Sequence, residues 1–167
     1  MKRIYLIGFM GCGKSTVSDY ISRKYGWKQI EMDAQIVSEQ KKEIAQIFAE
    51  EGETYFRNLE TELLKRIASG EEECVVSCGG GTAMRSCNVE IMKRSGRIVW
   101  LKAKPETVYQ RVKDTHDRPL LEGHMNVEYI EQLLEKRIPV YESAADLSVD
   151  TDGKSPEEIA QAVLCMR

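Results

Sequence analysis

The residues with the clearest chemistry are Gly8 to Thr16, which read GFMGCGKST. The spacing G-x-x-x-x-G-K-S sets a lysine and a hydroxyl directly behind a run of glycines. Gly8, Gly11 and Gly13 let the backbone curl until its N–H groups point inward at an anion. Lys14 brings a mobile positive charge for β- and γ-phosphates, and the Ser15 hydroxyl is a hard oxygen suited to Mg²⁺. That is the chemistry of holding a nucleoside triphosphate, with Gly11, Cys12, Gly13, Lys14, Ser15 and Thr16 as the contacts. A glycine-rich turn with a solvated lysine is the plainer alternative, and the flanks decide against it. Arg3 to Ile7 is β-branched and aromatic strand material, and Val17, Tyr20, Ile21 and Lys24 recur at helical spacing. The loop therefore lies between a strand and a helix whose positive end backs it.

Other candidates sit where further strands end. Asp33 follows a second short strand, Trp27 to Met32, and its carboxylate could take the proton of an acceptor hydroxyl or cap the next helix. Cys74 to Cys78 reads as a buried strand running into Gly79-Gly80-Gly81, which offers close-approach backbone N–H groups or simply a tight turn. Arg57 lies beside Phe56 on a helical segment, either free for a ligand or paired to Glu53 or Glu60. Arg137 is a second arginine, on a helix capped by Asn126, with a solvated face as the alternative.

The elements that must position these residues alternate strand and helix along the chain. Helical faces recur at Ile36 to Phe48, Phe56 to Ile67, after Pro105, after Asn126 and after Ser155-Pro156; strands recur at Arg97 to Leu101 and Leu147 to Val149. Most strands are continuous apolar runs, so the sheet is parallel and covered by helices on both faces. Ligands in such a fold bind at the carboxyl ends of the strands, where the candidates lie. The length, 167 residues, fits one domain, with a polar segment at 113–125 expected to form a mobile lid. A net charge of −3 gives no global basic field for nucleic acid or anionic membrane, so any anion site is local. Met1-Lys2-Arg3 leads straight into a strand, no run has transmembrane length, and the five cysteines are odd in number. The expectation is a cytoplasmic protein with reduced thiols.

Three classes share a nucleotide loop: a small-molecule kinase, a GTPase-type switch and a catalytically silent nucleotide-binding regulator. No N-K-x-D sequence follows a late strand and no aspartate closes Cys74 to Cys78, which argues against the switch. Intact Lys14, Ser15, Asp33 and Arg118 argue against the silent module.

Taken together, GFMGCGKST, Asp33, Phe48 to Glu53 with Phe56-Arg57 and Glu60, Ser77 to Gly81, Arg118-Pro119-Leu120-Leu121 and Arg137 to Tyr141 resemble the shikimate kinase family in order and spacing. The resemblance runs from Arg3 to about Pro156. It implies a three-layer α/β/α P-loop kinase fold with a five-stranded parallel sheet and a mobile lid. The implied activity is transfer of the γ-phosphoryl of ATP to the 3-hydroxyl of shikimate, on the route to chorismate and aromatic amino acids. ATP and shikimate are the implied partners of a monomer, and Mg²⁺ the cofactor. By this likeness Lys14, Asp33 and Arg118 are catalytic, and Asp33, Arg57, Gly79, Gly80, Gly81 and Arg137 bind the acceptor, the two arginines gripping its carboxylate. Glu60 orients Arg57, Phe48, Phe56 and Pro119 line the pocket, Arg111 and Arg118 serve ATP, and the stretch from Asp152 to Pro156 borders adenine. Another sugar-acid kinase, of gluconate type, is the runner-up. Two positions depart from the pattern. Glu31 stands where an aspartate usually serves the Mg²⁺ water shell; in an extended strand it would project to the same side as Asp33, beside Ser15. Cys12 occupies a commonly small, unreactive position, where Lys14 and the helix end could activate its thiol or where it could be inert.

Overall fold

The structure, a computed structural model, describes residues 2–114 and 126–165. Its frame is a five-stranded parallel sheet in the spatial order β2-β3-β1-β4-β5. The strands are β1 (Arg3–Ile7), β2 (Lys28–Glu31), β3 (Cys74–Ser77), β4 (Arg97–Lys102) and β5 (Leu147–Asp150). β1 is central and every one of its residues is buried; Ile4 to Ile7 form its apolar run, and Arg3 is buried by donating to the Ile67 and Ser95 carbonyls. It pairs with β3 through Leu6 opposite Ser77, and with β4 through Ile7 opposite Trp100.

The helices are α1 (Lys14–Tyr25), α2 (Met32–Gln40), α3 (Ile44–Glu51), α4 (Glu53–Ser69), α5 (Ser86–Ser95), α6 (Pro105–Val112), α7 (Val127–Ala144) and α8 (Pro156–Leu164), with a short 3-10 turn at Thr82–Met84. Side chains alternate along each strand, so the sheet has two cores. Tyr5, Ile7, Val76, Ile98 and Trp100 face Ile36, Ile47, Phe56, Leu64, Met92 and Tyr141. Ile4, Leu6, Val75, Val99 and Val149 face Val17 and Ile21 of α1 and Ile159, Ala160 and Val163 of α8. A third cluster, Phe9 with Val108, Val112, Ile130 and Leu134, ties α6 and α7 to the loop after β1. Each large apolar side chain removed from water in this way contributes about 1.5–3 kcal/mol.

Helix ends follow local chemistry. Gly26, in the left-handed region, ends α1, while Arg23 and Lys24 in its last turn complement the dipole. Asn126 accepts the Tyr129 N–H to cap α7, and Ser155 with Glu158 forms a reciprocal capping box on α8. Two boundaries differ from expectation. The second strand stops at Glu31, and Asp33 belongs to the first turn of α2. The helical stretch from Ile36 to Phe48 is two helices, broken where Lys41 takes φ 53°. α7 runs through Pro139, whose missing N–H leaves one gap in the helix ladder. Among the described residues no helix is long and apolar enough to cross a membrane, and all five cysteines are free thiols.

Candidate active site

β1 lies between β3 and β4; its own connection runs to β2 on one side while that of β4 runs to β5 on the other, so the connections diverge at its carboxyl end. A crevice opens at such a switch point, and the glycine loop occupies it. Gly8, Gly11 and Gly13 take φ of 141°, 73° and 98°, backbone that other residues rarely adopt. At Gly8 a Cβ would also lie 2.5 Å from the Leu101 carbonyl oxygen. Lys14 Nζ is folded back over the loop and donates to the Gly8 and Phe9 carbonyls at 2.8 and 3.0 Å. Arg111 on α6 donates to the Gly11 carbonyl at 2.9 Å, fastening α6 to the loop's outer turn. No acidic residue lies in the first turn of α1, so its positive end is left for an anion. Cys12 is 1% exposed beneath the loop, which favours the inert reading of its thiol.

Beside the loop is a cluster of oxygens. Ser15 Oγ donates to Glu31 Oε2 at 2.9 Å, while Ser18 Oγ and Gln29 Nε2 donate to Glu31 Oε1 at 2.8 and 3.0 Å. Ser77 Oγ stands 3.5 Å from Ser15 Oγ. Glu31 thus reaches Ser15 as the last residue of β2, and not by sharing a strand face with Asp33; the helix start at Met32 sends the two acids different ways. Ser77 ends β3 where P-loop proteins often carry an acid, and Glu31, opposite it in register, brings the carboxylate from the neighbouring strand. Hard oxygens of this kind suit Mg²⁺ that keeps most of its water. Among the described residues no group of three or more His, Cys, Asp or Glu forms a metal cage, so the donor set fits an ion carried mainly by phosphate.

The other wall is built around Gly79-Gly80-Gly81. A Cβ on Gly79 would lie 2.7 Å from Glu60 Oε1 and 2.9 Å from Asp33 Oδ1, and one on Gly81 only 2.6 Å from the Arg57 guanidinium. At Gly79 and Gly81 a side chain would displace the functional groups beside it. Arg57 Nη1 donates to Glu60 Oε2 at 2.8 Å, its other edge meets Glu53 at 3.3–3.4 Å, and its guanidinium carbon lies 5.4 Å from the Phe56 ring centre and 6.0 Å from that of Phe48. Both pairings foreseen for Arg57 are present at once. Opposite, Arg137 Nη1 and the Tyr141 hydroxyl both donate to the Gly80 carbonyl, at 3.0 and 2.6 Å, and Arg137 lies over the Phe9 ring. A Cβ on Gly80 would be 3.6 Å from Met10 N and 3.8 Å from Gly8 O, so the two walls share an edge.

The electrostatics follow from burial. Glu60 is fully buried, and desolvation pushes its carboxyl above the usual glutamate range. The attraction of Arg57 and the hydrogen bonds from Thr82 and Arg57 pull against that push, and the like charge of Asp33 adds to it. Burial raises the Tyr141 phenol to about 12, with Arg137 opposing, so it stays a donor to Gly80 at neutral pH. Burial likewise pushes the Cys78 thiol up.

The fold places Lys14, Ser15, Asp33, Arg57, Gly79 to Gly81, Arg111 and Arg137 at the carboxyl-end face of the sheet, around the glycine loop and the glycine wall. Arg118, Pro119, His116 and His124, with the rest of 115–125, lie outside the described residues. Asp152 accepts hydrogen bonds from the Thr107 hydroxyl and the Lys104 N–H, closing β5 onto α6. Given no role from the sequence were Ser18, Gln29 and Thr82, and also Ser77 and Tyr141, although the last two lie in stretches that carry the family resemblance. Tyr141 had a signal, since it stands four residues after Arg137 on one helix face. Thr82 had none, because its partner is on another helix.

A parallel sheet ordered in this way, with a phosphate loop at its centre and an acceptor wall beside it, defines a small P-loop phosphotransferase. The family model for shikimate kinase matches residues 10–166. A shikimate kinase of Persephonella marina is 43% identical over 98% of both chains, and one of Thermodesulfovibrio yellowstonii is 39% identical over 98% of this chain and 94% of its own. Shikimate kinase from Acinetobacter baumannii, solved in complex with shikimate, superposes with a TM-score of 0.92 at 32% identity, covering 98% of this chain and 91% of its own. The chain belongs to the shikimate kinase family. It is an ATP-dependent kinase, a transferase with an alcohol acceptor. A gluconokinase from Sinorhizobium meliloti, with a TM-score of 0.57 at 18% identity, shares the fold alone.

Proposed function

We propose that this chain phosphorylates the 3-hydroxyl of shikimate with ATP, giving shikimate 3-phosphate and ADP, as a monomer in the cytoplasm. The observation that carries the reading is the pair of guanidiniums, Arg57 at Gly81 and Arg137 at Gly80, flanking a glycine wall that abuts the phosphate loop. Two arginines make a fork for a carboxylate, with planar donors matched to its oxygens. The acceptor therefore carries a carboxylate at one end and a hydroxyl aimed at the loop.

In the reaction, the loop N–H groups and the end of α1 hold the phosphates, and Lys14 leaves the Gly8 and Phe9 carbonyls to meet the β- and γ-oxygens. Ser15 would hold Mg²⁺, with Glu31 behind a water, and the ion would neutralise charge between the β- and γ-phosphates. Asp33 accepts the proton of the 3-hydroxyl as its oxygen bonds to the γ-phosphorus. The bond from that phosphorus to the bridging oxygen breaks, and its electron pair leaves with ADP. Arg111 supports the nucleotide side, and Arg118 supplies positive charge to the transferring phosphoryl group. Phosphorus and proton NMR of the product tests the assignment: one new phosphomonoester is expected, coupled to the proton on C3. A phosphoryl group on another hydroxyl would overturn it.

A further inference from the structure

The acceptor wall is braced by a closed ring of buried polar groups. Glu60 Oε2 takes Nη1 of Arg57, while Glu60 Oε1 accepts from the Thr82 hydroxyl at 2.6 Å. The Thr82 carbonyl accepts from Asn88 Nδ2 at 2.9 Å. Asn88 Oδ1 lies 2.7 Å from the Thr61 hydroxyl, which is also 3.1 Å from the carbonyl of Arg57. Glu60, Thr82 and Asn88 are each 0% exposed. The ring starts and ends on Arg57 and passes through α4, the 3-10 turn and α5.

We propose that Thr82 is a positioning residue for the acceptor clamp, its hydroxyl holding Glu60 to a single contact with Arg57; this rests on the reading that Arg57 grips the acceptor carboxylate. A carboxylate with both oxygens free takes a guanidinium in two parallel hydrogen bonds. With Oε1 tied to Thr82, only Oε2 remains for Arg57. The rest of the guanidinium then meets only Glu53, an exposed carboxylate at 3.3–3.4 Å, and a ligand carboxylate takes that Nε/Nη2 edge by displacing it. Asn88 fixes the turn that carries Thr82. Without the hydroxyl, Glu60 Oε1 would be a buried oxygen lacking its donor, and the carboxylate would turn to chelate Arg57.

The charged and titratable groups facing Glu60 are Asp33 from α2, Arg57 on α4 and Cys78 after β3, with Glu53 and Arg137 one contact further out. Burial keeps Cys78 a thiol across the working range. Glu60 must be ionised to hold Arg57, so acidification through its raised pKa weakens acceptor binding. The Thr82 hydrogen bond pulls that pKa down; removing it moves the acid limb to higher pH.

The test is steady-state kinetics with shikimate and Mg²⁺–ATP across pH for wild type, Thr82→Val, Thr82→Ser and Arg57→Ala, with thermal melting as the fold control. Thr82→Val should raise the shikimate KM roughly tenfold, leave the ATP KM nearly unchanged, and shift the acid limb of kcat/KM for shikimate upward in pH. Thr82→Ser should restore both. Should Thr82→Val not fold, Thr82→Ala carries the same expectation. Wild-type behaviour in the hydroxyl-free variant, or a raised KM with an unmoved acid limb, overturns the positioning role while Arg57→Ala still raises KM. An unchanged shikimate KM in Arg57→Ala overturns the clamp reading, and the role of Thr82 with it.

Discussion

Arg57 and Arg137 reach the same glycine wall from different helices; Arg137 is held at one edge by the Gly80 carbonyl, and Arg57 by buried Glu60 on one side and by exposed Glu53, which a ligand displaces, on the other. In the proposed reaction the free edges meet a carboxylate out of bulk water, where losing one partner costs about 2–5 kcal/mol. Arg57→Ala and Arg137→Ala should each weaken shikimate by that amount and leave ATP affinity close to wild type, as calorimetric titration with each ligand would read. Equal loss of both affinities would mean a folding defect. Glu31 carries a second expectation. Its carboxylate is fixed by Ser18 and Gln29 on one oxygen and by Ser15 on the other. Glu31→Gln should raise the Mg²⁺ concentration for half-maximal rate with shikimate affinity unchanged, and Glu31→Asp should recover part of it. An unshifted midpoint would reduce Glu31 to a structural acid. The glycines and Asp33 were legible because they follow strand-like runs; Arg57 and Arg137 lie inside helices and were legible through the family resemblance. The joint geometry of Glu31 and Asp33 was not. Asp33 reads as the cap of a helix starting at Ala34, whereas the helix starts at Met32 with Glu31 at its cap position.

At the scale of elements, the glycine turn after β3 is where sequence and packing meet. Gly81 admits the Arg57 guanidinium to within the space a Cβ would take. Gly81→Ala should push Arg57 outward and raise the shikimate KM at least tenfold by losing its aligned contact, with the ATP KM little changed. A normal shikimate KM would mean that Arg57 does not need its present seat. Elements with chemical punctuation were readable to within a residue or two: the Asn126 cap and the Ser155 capping box. The break between α2 and α3 was hidden, because Lys41 takes a left-handed conformation that lysine seldom adopts and so gives no signal. The ring through Thr82, Asn88 and Thr61 was hidden for another reason: its members are brought together from three elements by packing alone.

Over the whole molecule, parallel strands buried on both faces followed from apolar runs alternating with amphipathic helices. The order β2-β3-β1-β4-β5 did not, since strand neighbours are set by long-range pairing. That order matters for function. It puts β3, with its glycine turn, beside β1, with its phosphate loop, and so sets an acceptor wall against a phosphate cradle. This shared edge selects a carboxylated alcohol, and in the proposed reaction that alcohol is shikimate. Mg²⁺-dependent ADP release in a coupled assay, with shikimate, quinate, gluconate and nucleoside monophosphates offered in turn, tests this most directly. Strong stimulation by shikimate and little above background with the others is expected. Background rates with shikimate, alongside stimulation by gluconate or a nucleoside monophosphate, would contradict it.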